Sequence, residues 1–164
     1  MLLRSTVDWS AVIWASLIAG TVSFLLYLFF VPMSVGAGNA AIIARFMASI
    51  LLGIGALAPP ATFDIGIVVA ALVVHFALAL LMGSIIAFVL HRWGLLTGMI
   101  GGALFGILFY VINFYSLTLF WPQMYALAHM SVLLVHVVFG ALAGGIYEWL
   151  EFEPGELEAL ERNT

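Results

Sequence analysis

The residues best suited to chemistry in this chain are a few polar side chains within long apolar stretches. Four of them, His75, Asn113, His129 and His136, stand in segments made almost entirely of apolar residues. Polar and ionisable groups inside a membrane are costly, so they usually face the interior of a helical bundle and find a partner there. The sequence therefore predicts an intramembrane polar cluster formed by these four residues.

Several chemistries are open to this cluster. His75 and His136, at equal depth on different helices, could ligate a b-type haem axially or relay protons, although no acidic residue lies deep in any apolar stretch. His129 and Met130 with Met124 could hold copper(I), because imidazole and thioether groups suit that ion. The simplest alternative is that each neutral imidazole makes one interhelical hydrogen bond. We predict no cofactor and no metal, with haem b kept as an alternative.

Complete catalytic motifs are absent from the sequence. The chain has no cysteine, no HExxH, no GxGxxG, no phosphate-binding loop and no paired carboxylates before the acidic C-terminal segment. Ser34, Ser84 and Ser131 lack the surroundings of a catalytic serine. The sequence favours a non-enzymatic role. The net charge of −4 argues against nucleic acid as a partner.

Composition determines the class of fold that positions these residues. The 164 residues are 66% hydrophobic and only 7% charged, whereas a soluble domain carries about 25% charged residues. A spanning helix needs about 20 mainly apolar residues. The prediction is an all-α, polytopic transmembrane helical bundle in one domain, residues 1–150, embedded in a lipid bilayer. The predicted spans cover about 9–31, 64–90, 94–120 and 123–149.

A fifth apolar segment, 40–57, is ambiguous. It follows Gly36 and Gly38, has Asn39 as a potential N-cap, and ends before two prolines. Counting it as a span would separate the arginines near the two chain ends, so the positive-inside rule favours four spans. The segment is then an interfacial or re-entrant helix. On that side of the membrane Arg45 could reach the headgroups or pair with Asp64.

The same rule predicts the orientation of the bundle. With four spans Arg4, Arg92 and Arg162 fall on one side, which makes the N- and C-termini cytoplasmic and residues 151–164 an acidic cytoplasmic tail. The tryptophans near the helix ends support this arrangement, because such residues form aromatic belts at membrane interfaces. Those at the predicted cytoplasmic ends are Trp9, Trp93 and Trp149, and Trp121 lies at the outer turn. His91, next to Arg92, is interpreted as an interfacial residue.

Glycine spacing predicts how the last two spans pack. Small residues four apart let two helix backbones approach closely, which matters where lipid offers no hydrophobic drive for association. Folding the chain into an antiparallel pair about Trp121 predicts glycine opposite glycine in one half and polar opposite polar in the other. The predicted pairs are Gly98 with Gly144, Gly102 with Gly140, Gly106 with His136, and Asn113 with His129.

The stretch from His136 to Tyr147, HVVFGALAGGIY, resembles the closing helix of small uncharacterised bacterial inner-membrane proteins. The likeness covers about the last third of the chain. It implies a bacterial inner-membrane location and brings no activity with it.

Three functions are compatible with the sequence. The leading hypothesis is a structural or accessory subunit that associates through its helices, either as a homo-oligomer or within a larger membrane complex. The second is a small oligomeric transporter or channel with a polar cavity near Asn113 and His129. The third is a haem-binding electron carrier that uses His75 and His136.

Overall fold

In the computed structural model, which describes residues 7–34 and 39–151, the chain is all-α. Four of its helical segments are long and apolar enough to cross a membrane, and a shorter apolar helix follows the first of them. The predicted fold class is therefore confirmed. Arg4, Arg162, the two glycines at 36 and 38, and the tail from 152 onward lie outside the described residues. The helices are α1 (Trp9–Ser34), α2 (Ala40–Leu52), α3 (Ile65–Leu90), α4 (Leu95–Val111) and α5 (Met130–Leu150).

Helix α1 begins where Asp8 satisfies its first free amides. The Asp8 carboxylate accepts hydrogen bonds from the amides of Ser10, at 2.9 Å, and Ala11, at 3.1 Å, and from the Ser10 hydroxyl at 2.7 Å. Because the first amides of a helix have no partner within it, such an N-cap stabilises the helix end. The hydrogen bond from Ser10 holds the pKa of Asp8 below its ordinary value.

Replacing Asp8 with alanine should destabilise the start of α1 by about 1 kcal/mol. Because the pKa of Asp8 is lowered in the folded protein, its ionised form contributes stability above its unfolded pKa of 3.8. That contribution should disappear as the pH falls through the lower folded value. Amide exchange at residues 10–14, measured against pH, checks this. Asp8→Asn keeps a cap without the charge, so it should show little of the pH dependence; an equally steep dependence in Asp8→Asn would contradict the assignment.

Helix α2 is too short to cross a bilayer. Its 13 residues span about 20 Å, against an apolar core of about 30 Å. The Asn39 side chain accepts a hydrogen bond from the Ala41 amide at 2.8 Å, so the predicted N-cap is present. Helix α2 packs against α3 and, less extensively, against α1, and a 3₁₀ turn, Ile54–Leu57, follows it.

The region between α4 and α5 differs from the expected short turn. The apolar segment of the third span continues past α4 as a π-helical turn, Ile112–Ser116, and a 3₁₀ turn, Leu117–Leu119. A further 3₁₀ segment, Pro122–Leu127, precedes α5, which begins at Met130 rather than at 123. The last span is therefore shorter than predicted. Proline at the start of this 3₁₀ segment suits a turn whose first amide needs no partner.

Helices α4 and α5 pack at very short range along the glycine stripes. A Cβ added at Gly98 would lie 2.8 Å from the carbonyl oxygen of Gly144, and one added at Gly102 or Gly140 would overlap the other's carbonyl oxygen. A Cβ at Gly106 would likewise overlap the carbonyl oxygen of His136. These three contacts follow the register derived from the glycine spacing. Helix α5 also packs against α1, and this brings residues of the first and last spans together.

Candidate functional site

A cavity of about 180 Å³ lies inside the bundle and is partly open to its surface. Helices α1, α2, α3 and α5 line it together with the connection that follows α4. Most of the wall is apolar and includes aromatic and thioether side chains. The polar groups in the wall include His75 and His136, which thus face a common space. The other polar lining residues are Ser23, Tyr27 and Asn113.

His136 is held by three neighbours in a defined tautomer. Its Nε2 lies 3.3 Å from Asn113 Nδ2, and its Nδ1 lies 2.9 Å from the carbonyl oxygen of Val132. Since an amide nitrogen only donates, Nε2 accepts from Asn113, and the proton of the neutral ring is on Nδ1. Nδ1–H therefore donates to Val132. The Tyr27 hydroxyl oxygen, 3.0 Å from the same Nδ1, shares this hydrogen, and its own hydrogen stays available to the cavity.

His75 takes the opposite tautomer. Its Nε2 lies 2.9 Å from the carbonyl oxygen of Gly20, which can only accept, so the proton is on Nε2. The Ser23 hydroxyl donates to the same carbonyl at 3.0 Å. Among residues 7–34 and 39–151, no hydrogen-bond donor lies within reach of Nδ1 of His75. His75 lines the cavity, and its Nδ1 has an unused lone pair.

The structure brings together three of the four residues predicted to form a polar cluster. His75, Asn113 and His136 line the cavity, whereas His129 is exposed and lies outside its wall. The predicted contact between Asn113 and His129 is wrong: Asn113 bonds to His136, and His129 serves as the N-cap of α5, where its Nδ1 accepts from the Ser131 amide at 3.2 Å. The register fails here because both helices give way to π and 3₁₀ turns before they reach the connection.

The geometry of the cavity does not fit a haem. The Tyr27 ring lies edge-on to both imidazoles, with centroids 6.0 Å from His75 and 6.1 Å from His136. A cavity of 150 Å³ holds a single benzene ring, and a porphyrin has four pyrrole rings. The residues predicted to hold copper(I) do not share one site either, because Met130 is 64% exposed while Met124 is buried in the core.

Tyr27 and Ser23 are site residues that sequence reasoning missed. Both lie in the first span on the face that packs against the rest of the bundle: Tyr27 is 7% exposed and Ser23 is 2% exposed. They are four residues apart, so they lie on the same face of the helix. This spacing was the signal by which the sequence could have indicated them. Within an apolar run, however, a tyrosine and a serine at this spacing do not distinguish a cavity wall from a helix contact.

A second polar cluster lies at the opposite end of the bundle from α2, and it was also missed. His91 Nδ1 is 2.9 Å from the Tyr147 hydroxyl and pairs with the Glu151 carboxylate. Glu148 accepts from the amides of Gly94, at 2.8 Å, and Trp93, at 3.3 Å. Burial raises the pKa of Glu151 above its ordinary value. His91 is therefore part of a link between α5 and the α3–α4 connection, in addition to lying at a helix end.

The geometry around α2 corrects one further expectation and adds a contact to another residue. Arg45 does not pair with Asp64 in the described structure; its guanidinium donates to the carbonyls of Ala56, at 2.9 Å, and Thr62, at 3.2 Å, while Asp64 caps α3 by accepting from the Ile67 amide. Trp121 is not simply a belt residue. Its indole N–H donates to the carbonyl of Ile50 at 3.3 Å and so ties the α4–α5 connection to α2.

By helix length and hydropathy, the protein is an integral, multi-pass membrane protein. No protein-family model, curated protein or solved structure matches the chain.

Proposed function

We propose that this protein binds a small, mostly apolar molecule in the cavity within its helical bundle. The observation that carries the proposal is the combination of an apolar wall with an unpaired imidazole nitrogen at His75 and a free hydroxyl hydrogen at Tyr27. Ligand sites are typically apolar cavities with a few polar groups that orient the ligand.

Fluorobenzene is a suitable probe for this function, because one aromatic ring fills a cavity of this size. Binding to the purified full-length protein would be followed by ¹⁹F NMR. Leu78 lines the cavity, whereas Leu81 on the same helix is 57% exposed and faces away from the core. Leu78→Trp should fill the cavity and remove binding, and the matched control Leu81→Trp should leave it intact. Binding that is absent from the wild type, or lost equally in both variants, would overturn the proposal.

The accessory-subunit hypothesis loses one of its three supports, which were the glycine stripes, the small extramembrane part of the chain and the absence of a complete catalytic motif. The glycines of these stripes are occupied by contacts between α4 and α5 of the same chain. They are not free to hold a partner. The transporter hypothesis agrees better with the cavity, since Asn113 lines it, but transport would require the cavity to open alternately to the two sides of the membrane.

We further propose that the protein lies in a bacterial inner membrane with both termini in the cytoplasm. Arg92 and Trp93 lie at the α3–α4 connection, which supports a cytoplasmic position for that end. Because the chain has no cysteine, single cysteines can report topology. In intact cells, a membrane-impermeant maleimide should label Leu119→Cys and not Trp93→Cys. Labelling of Trp93→Cys alone would reverse the orientation.

A further inference from the structure

The hydrogen-bonding groups in the cavity define the class of ligand more narrowly. We infer that the cavity selects a single aromatic ring that carries a hydroxyl group, such as a phenol or a hydroquinone ring, with the hydroxyl held between His75 and Tyr27. This inference rests on the proposed function, since it names the ligand class of the same site.

Size sets the first limit on the ligand. A dry cavity of 150 Å³ takes one benzene ring, and the present cavity has about 180 Å³. The space therefore fits one ring with one or two small substituents and excludes fused ring systems of twice that size. The partly open form of the cavity leaves a way for a substituent on the ring to extend out of it.

The apolar part of the wall suits an aromatic ring in particular. Aromatic side chains line it, and aromatic rings prefer edge-to-face or offset contacts with one another. Thioether groups also line it, and sulfur makes favourable contacts with aromatic rings. The lining residues with these properties are Phe114, Trp121, Phe139, Met47, Met82 and Met124.

To pair with both polar groups of the wall, a ligand group must donate one hydrogen bond and accept another. His75 offers a lone pair on Nδ1, because its only proton is on Nε2 and is used by Gly20. Tyr27 offers a hydroxyl hydrogen, because its oxygen already accepts from His136. A ligand hydroxyl can donate to the imidazole and accept from the tyrosine. A carbonyl or ether cannot donate to His75, and an ammonium cannot accept from Tyr27.

Charge also favours a neutral hydroxyl. His75 and His136 are neutral in the tautomers assigned above, and no aspartate, glutamate, lysine or arginine lines the cavity among the described residues. An ionised ligand would enter without a counter-charge, which is costly in an apolar environment. A neutral phenol or hydroquinone has no such cost.

The test compares 4-fluorophenol with fluorobenzene, again by ¹⁹F NMR on the purified full-length protein. In the wild type, 4-fluorophenol should bind about ten- to a hundredfold more tightly, because fluorobenzene leaves both polar groups without partners. Tyr27→Phe and His75→Phe each keep an aromatic ring but remove one partner of the hydroxyl. Each should reduce the preference severalfold. His129→Phe replaces a histidine outside the cavity wall and should leave the preference unchanged.

The possible outcomes separate the two proposals. If fluorobenzene and 4-fluorophenol bind equally well to the wild type, the ligand class is wrong and the proposed function stands. If neither compound binds, the ligand class and the proposed function are both wrong. A preference for 4-fluorophenol that survives in both Tyr27→Phe and His75→Phe would overturn the assignment of the two hydrogen-bonding residues. Retained binding of fluorobenzene in these variants shows that the cavity is still folded, so a lost preference is then informative.

Discussion

Replacing Gly102 with alanine should lower the free energy of unfolding by about 1–3 kcal/mol, the usual cost of overpacking a tight contact. A Cβ at this position would overlap the carbonyl oxygen of Gly140 on the neighbouring helix. Backbone atoms cannot rotate away as a side chain can, so α4 and α5 would have to move apart. The separation would also loosen Asn113 from His136, because these residues belong to the same two segments.

The neighbouring Gly101 provides a matched control on the same helix. A Cβ there would meet the side chain of Leu90, with both methyl groups at 2.9 Å and Cγ at 3.5 Å, and these atoms lie at the flexible end of a side chain. Alanine favours a helix over glycine by up to about 1 kcal/mol. Gly101→Ala should therefore be neutral or slightly stabilising. Unfolding by SDS in mixed micelles, followed by tryptophan fluorescence, gives both values, and equal stability of Gly101→Ala and Gly102→Ala would contradict the close packing.

Replacing Arg45 with methionine should release α2 and the segment that follows it from the bundle. The Arg45 guanidinium donates to the carbonyls of Ala56 and Thr62, with a longer contact of 3.5 Å to Ala58. Hydrogen bonds to a charged group contribute about 1.5–3 kcal/mol. The free energy needed to open residues 53–62 locally should fall by about that amount, and their amides should exchange about ten- to a hundredfold faster.

Hydrogen–deuterium exchange in detergent tests this prediction, with the amides of α4 as an internal reference. Arg45→Lys keeps the charge but replaces the planar fork by a single ammonium, so its effect should be intermediate. Since α2 contributes Met47 and Ile50 to the cavity wall, Arg45→Met should also weaken fluorobenzene binding. Unchanged exchange at residues 53–62 in Arg45→Met would show that the guanidinium does not hold this segment.

Glycine spacing predicted the helix contacts correctly in one half of the α4–α5 pair and wrongly in the other. Gly98, Gly102 and Gly106 contact the partners expected from their spacing, because a regular helix repeats every 3.6 residues and the register carries along it. Asn113 does not meet the expected partner. It lies in the π turn that follows α4, where one turn takes in an additional residue and the face of each following side chain shifts. Helical periodicity predicts contacts only as far as the helix continues.

The sequence by itself determined the environment of this protein and the number of its long helices. Hydrophobic content and the length of apolar runs are enough for that, since a bilayer admits few solutions for an apolar backbone. Tertiary structure alone decided that Tyr27 and Ser23 line a common cavity with His75 and His136. Their contacts join residues 52 to 109 positions apart, and no local pattern encodes which faces of separate helices meet. The polar residues of the cavity therefore differ from the four predicted from the sequence: Tyr27 and Ser23 belong to the set and His129 does not.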